Sequence, residues 1–189
     1  VRAMLPDHDL YITDWADARF VPLGEGRFDL HRYVDYLMAF IRFLGPDLHV
    51  IAVCQPSVPA LAATALLAEE HDPAAPASLT LMAGPIDTSE QPTAVNEYAE
   101  SRELEWFRRH VVTYVPFPHA GACRAVYPGF LQLAGFMGMN VDSHLKAYQS
   151  YFENLIRGDA DSTEQHRRFY DEYLAVMDLT AEFFMQTVD

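Results

Sequence analysis

Apolar residues at Leu30, Tyr33, Val34, Leu37, Met38, Ile41 and Leu44 recur every three or four positions, the spacing of one buried helix face. Asp29 stands where an N-cap is wanted, and Gly45-Pro46 stops the pattern. Leu48-His49-Val50-Ile51-Ala52-Val53 is instead a nearly continuous apolar run, as expected of a strand covered on both faces of a sheet. Residues 56–70 are rich in Ala and Leu and predict a helix, with Pro56 and Pro59 confined to its first turn, where proline does least harm. Residues 78–83 predict another strand, closed by Gly84-Pro85, and residues 9–13 form a short β-prone run before Asp14-Trp15. Strands alternating with helices predict parallel βαβ units with right-handed crossovers, an α/β arrangement.

Beyond Asp87 the pattern changes. Residues 88–92 read as a loop and residues 93–110 as helix; from there on, only residues 111–115 offer a brief strand. Residues 127–140 are rich in aromatic residues and Met, and residues 141–157 predict a helix ended by Gly158. Ser162 with Gln165 forms the capping-box signature of a last helix, with its stripe at Phe169, Tyr173, Val176, Met177, Thr180, Phe183 and Phe184. The expected layout is an α/β unit over residues 1–88 and a mostly helical region over residues 89–189.

Composition narrows the function classes. Half of the 189 residues are hydrophobic, enough for one domain with a real core, which excludes disorder as the main state. Asp and Glu outnumber Lys and Arg 27 to 13, a net charge of −14, so there is no basic excess to track a nucleic-acid backbone. No uncharged apolar run is long enough to span a membrane, and the N-terminus carries no leader pattern. Val1-Arg2-Ala3 opens the chain without a Met, and residues 181–189 read as unfinished helix, so both ends look cut. The two cysteines, Cys54 and Cys123, are too few for a disulfide scaffold and suit a reducing, intracellular setting.

The most informative stretch for chemistry is Ile51-Ala52-Val53-Cys54-Gln55-Pro56-Ser57. An apolar strand runs into Cys54 and a helix starts two residues later. A nucleophile at such a junction is pushed out of the sheet on a tight turn. The next backbone N–H faces a developing oxyanion, and the positive helix end favours an anionic sulfur. The usual Gly-x-nucleophile-x-Gly is met only approximately, with Ala52 and Pro56 at the glycine positions; the alternative is a buried structural cysteine. Cys123 in Gly121-Ala122-Cys123-Arg124 is a second thiol, either activated by Arg124 or inert. His49 reads as a core or supporting histidine, and Asp87 as a triad acid or a turn cap. His8, His31, His49, His71, His110, His119, His144 and His166 show no metal-ligand spacing. No glycine-rich phosphate loop is visible, so neither metal nor cofactor is expected. Residues 127–139 line an apolar channel or simply pack a helix.

Val53-Cys54-Gln55-Pro56-Ser57-Val58-Pro59 resembles the nucleophile segment of the intracellular poly(3-hydroxybutyrate) depolymerases, enzymes of bacterial polyhydroxyalkanoate granules. The likeness extends in order through Asp14-Trp15, Ala18-Arg19, Val21-Pro22, Leu81-Met82-Ala83-Gly84-Pro85-Ile86-Asp87 and Pro92-Thr93-Ala94-Val95-Asn96. It continues through Tyr127-Pro128-Gly129-Phe130-Leu131-Gln132-Leu133 and Phe169-Tyr170-Asp171-Glu172-Tyr173.

The resemblance implies an α/β-hydrolase core followed by a helical lid, and a thiol hydrolase with a Cys-His-Asp triad. Cys54 matches the nucleophile and the Gln55 backbone N–H one oxyanion donor. The implied partner is polyhydroxybutyrate at the granule surface, cleaved to 3-hydroxybutyrate and short oligomers in the cytoplasm, without cofactor or nucleic acid. In that family the triad acid and base lie beyond the lid, so no His or Asp here is carried over, and the 189 residues alone are expected to be inactive. Two rivals remain: an acyltransferase of the polymer-synthase type, and a non-catalytic granule-binding module that adheres through its aromatic lid.

Overall fold

The computed structural model describes residues 2–90 and 92–189. Val1, and Gln91 within the expected loop 88–92, lie outside the described residues. Asp29 caps α1 (Leu30–Leu44) as the spacing requires, its carboxylate accepting the Arg32 N–H at 2.9 Å. Then come β1 (His49–Val53), α2 (Ser57–Glu69) and β2 (Ser78–Met82). The two strands pair in parallel, from His49 opposite Ser78 to Val53 opposite Met82. Val34, Met38 and Ile41 of α1 pack with Ala63 and Leu67 of α2, over Leu48 and Val50.

The expected cover on both sheet faces is not there. Val50 and Ala52 turn toward the helices, whereas Ile51, Val53 and Met82, on the other face, are each about half exposed. Alternation along a strand sends neighbours to opposite faces, and α1 and α2, which pack on each other, both occupy one of them. The β-prone run 9–13 forms no strand either; Tyr11 and Ile12 are exposed, and no strand among the described residues lies beside them.

The second half holds more sheet than its sequence suggests. The helix expected over residues 93–110 is two: α3 (Ala94–Glu100), opened by a reciprocal Thr93–Asn96 capping box, and α4 (Leu104–His110). The structure continues with β3 (Thr113–Tyr114), β4 (Ala125–Tyr127), α5 (Gly129–Met139), α6 (Val141–Arg157), α7 (Ala160–Tyr173), β5 (Leu179–Thr180) and α8 (Ala181–Val188). β3, β4 and β5 form an antiparallel sheet in that order. Of these only β3 falls in an expected strand, the apolar run 111–115; β4 and β5, of three and two residues, carry no readable alternation. The single last helix is also corrected. Asp159, not Ser162, caps α7, and Phe183 and Phe184 belong to α8 rather than to a stripe shared with Phe169 and Tyr173.

That break after Tyr173 serves a buried polar knot. The Asp178 carboxylate accepts from Arg19 Nε and Nη2 at 3.0 and 3.1 Å and from the Gly129 N–H at 2.9 Å. The Asp178 carbonyl accepts the Ala18 N–H, while its own N–H donates to Asp17. Nearby, Trp15 packs edge-on against Phe28, Tyr33 and Tyr36, and Phe28 and Tyr33 both reach Phe183 of α8.

Hydrogen bonds from the Ser162 N–H and hydroxyl hold the Asp159 carboxyl below the usual carboxylate range. A depressed folded value stabilises the first turn of α7 above the unfolded value of about 4, and that stabilisation is lost as pH falls through the folded one. Amide protection in that turn should therefore drop on acidification below about pH 4. Asp159→Asn should make the protection insensitive to pH, as read by hydrogen exchange.

Candidate active site

Cys54 follows the last residue of β1 in a left-handed conformation, φ 65°. Left-handed backbone crowds a Cβ, so a non-glycine residue stays there only when its surroundings over-determine it. Those surroundings are specific. The Cys54 N–H donates to Met82 O at 2.7 Å, prolonging the pairing of the strands by one bond. Its carbonyl accepts the Ser57 N–H at 3.0 Å, closing the turn into α2. Ser57 is fully buried, and its hydroxyl donates back to Ala52 O at 3.2 Å. Gly84 lies over this turn: a Cβ there would run into the Ser57 side chain and sit 3.1 Å from Cys54 O. Gly84 and Ser57 are thus the small residues that let the two strand ends close up. Cys54 is free and exposed in this structure.

α2 has no side-chain N-cap, since Pro56 occupies that position. Among the described residues the Gln55 N–H has no hydrogen-bond acceptor. An exposed sulfur beside an open backbone donor at a helix N-terminus is an arrangement suited to nucleophilic attack with oxyanion stabilisation.

The other candidates are placed elsewhere. His49 is exposed rather than in the core; it sits at the far end of β1, about 16 Å of strand from Cys54, and its Nδ1 lies 2.7 Å from the Ser78 hydroxyl. Asp87 accepts from the Ser89 N–H and hydroxyl at 3.0 and 2.6 Å, bonds that hold its carboxyl below the usual range. It caps a turn. Arg124 does not attend Cys123. It is 4% exposed, and its guanidinium donates to the carbonyls of Val21, Pro22 and Gly26 at 3.1, 2.6 and 2.9 Å, clamping the N-terminal segment. Cys123 itself is exposed, with φ 70°. Sequence reasoning missed the Arg124 clamp and the Asp178 knot, because their partners lie far away along the chain, from 49 residues for Gly129 to 159 for Arg19.

Residues 127–139 run from the last residue of β4 through α5, and among the described residues they line no deep channel. One face of α5 borders a shallow apolar hollow of about 200 Å³ with Tyr173 and Val176. A more polar cleft of about 390 Å³ lies between α3 and α8, lined by Asn96, Arg102 and Thr187 among others. Neither includes Cys54. Among the described residues no group of three or more His, Cys, Asp or Glu side chains converges to hold a metal, and no helix is long and apolar enough to cross a membrane.

A protein-family model described as "PHB de-polymerase C-terminus" matches residues 83–189, from the end of β2 through α8. The chain belongs to the PHB de-polymerase family. No curated protein and no solved structure matches it. The de-polymerase match takes in Gly84, which lies over the Cys54 turn, and both Gly129 and Asp178, the two ends of a buried hydrogen bond. It begins after Cys54, which lies outside the matched residues.

Proposed function

We propose that the intact protein is an intracellular polyhydroxybutyrate depolymerase in which Cys54 is the nucleophile, on an α/β-hydrolase core of which β1, α2 and β2 are part. Family membership supports the substrate class. The observation that carries the mechanism is the left-handed Cys54 at a strand–helix junction with its thiol exposed. In this reading the thiolate Sγ attacks an ester carbonyl of the polymer, and the Gln55 N–H donates to the resulting oxyanion. The carbon–oxygen ester bond breaks, leaving a hydroxybutyryl thioester on Cys54 and an alkoxide that takes a proton from the general acid. Water deprotonated by the same group then releases the acid. Following the family resemblance, that group is a histidine outside these residues; among the described residues no histidine hydrogen-bonds to Cys54.

Quenching the intact enzyme in acid during turnover of soluble hydroxybutyrate oligomers, followed by peptide mass spectrometry, tests this. The expected result is a mass gain of whole hydroxybutyryl units on the peptide containing Cys54. Modification at Cys123 instead, or at neither thiol, would reject the assignment. Polymer elongation from hydroxyacyl-CoA, without release of free acid, would favour the synthase-type rival.

A further inference from the structure

The Cys54 carbonyl and the Gln55 N–H belong to one peptide unit. In a planar trans peptide the C=O and the N–H point in opposite directions, so whatever holds the oxygen also aims the hydrogen. The oxygen is held on the buried side of the turn. It accepts the Ser57 N–H at 3.0 Å, and Gly84 lies so close that an added Cβ would stand 3.1 Å from it. Gln55, on the other side of that peptide, is exposed. Pro56 brings no N–H of its own, so the Gln55 N–H is the one backbone donor between Cys54 and Ser57.

Ser57 is fixed in turn by its hydroxyl. The residue is 0% exposed, its Oγ donates to Ala52 O at 3.2 Å, and a Cβ added to Gly84 would overlap the Ser57 Cβ and Oγ. Residues 52 and 57 flank the nucleophile, so this bond ties the end of β1 to the first turn of α2 across Cys54. Full burial keeps the hydroxyl from substrate, and its one proton is committed to Ala52. Cys54, at φ 65°, has a backbone that relaxes out of this conformation unless its surroundings hold it.

Resting on the assignment of Cys54 as nucleophile, we propose that Ser57 is a positioning residue that aims the Gln55 N–H at the oxyanion through the shared Cys54–Gln55 peptide. A donor oriented before charge develops stabilises the transition state without reorganisation, whereas a peptide free to rotate must be reordered at each turnover.

Ser57→Ala keeps the backbone N–H and the Cβ and removes only the bond to Ala52. In the intact protein acting on soluble hydroxybutyrate oligomers, it should lower kcat about tenfold and leave KM within about twofold, less than the loss of a whole oxyanion donor. Iodoacetamide provides the contrast. Sγ displaces iodide from carbon and no oxyanion forms, so alkylation of Cys54 in Ser57→Ala should stay within about twofold of the parent rate. A parent-level kcat in Ser57→Ala overturns the proposal, and so does an equal fall in turnover and alkylation, the mark of a weakened fold. Hydrogen exchange in the parent keeps the test open should Ser57→Ala lose its circular dichroism: the Ser57 amide should be protected and the Gln55 amide free, and equal protection of the two overturns the proposal. Full hydrolysis by Cys54→Ala would overturn the nucleophile reading and this proposal with it, whereas a failure confined to Ser57 leaves that reading standing.

Discussion

Cys54→Ala in the intact protein should lower 3-hydroxybutyrate release from amorphous granules by about a thousandfold or more, since removing a covalent nucleophile leaves only binding and oxyanion contacts. Granule cosedimentation should stay at the parent level, because the substitution removes a single sulfur atom and leaves the rest of the surface unchanged. Cys54→Gly should be equally inactive, but for a different structural balance. Glycine adopts φ 65° without the Cβ crowding that costs an L-residue about 1–2 kcal/mol there, although it loses more chain entropy on folding. The glycine variant should therefore be at least as stable as Cys54→Ala, which keeps the Cβ, as read by urea midpoints. Full granule hydrolysis by either variant would remove Cys54 from the mechanism.

Asp178→Ala should be the most damaging change to the fold. The carboxylate is 4% exposed, and its loss strips the Gly129 N–H and the Arg19 guanidinium of their acceptor at once. Breaking a buried pair of this kind costs about 3–5 kcal/mol when both groups are sequestered. The Arg19 side chain is 36% exposed and turns partly to water, which lowers the expected loss to about 2–3 kcal/mol. Asp178→Asn retains an oxygen for Gly129 and should lose less. Urea denaturation measures the total, and amide exchange locates it: Ala18 and Gly129, both bonded to Asp178, should lose protection together. A loss below about 0.5 kcal/mol, the range of ordinary surface changes, would show the knot to be dispensable.

α1, β1, α2 and β2 were legible because each is long enough for its period to repeat and is capped or stopped by residues nearby: Asp29, Gly45, Pro56 and Gly84. The strand–Cys54–helix junction was legible for the same reason. β4 and β5 were not, since three and two residues show no period and their pairing joins Val126 to Thr180 across three intervening helices. The split of the last helix was missed because the stripe from Phe169 to Phe184 mimics one helix, whereas the demand of Arg19 and Gly129 for a carboxylate draws Asp178 out of helical geometry.

The sequence alone determined the family, the alternating α/β beginning and the position of the candidate nucleophile, because each rests on short-range pattern. Only the tertiary structure decided that the thiol is exposed, that Gly84 and Ser57 close over its turn, and that Arg124 and Asp178 hold the N-terminal segment. It also decided which apolar faces stay bare, since a strand or helix pattern sets how side chains are distributed around an element and not which side meets a neighbour.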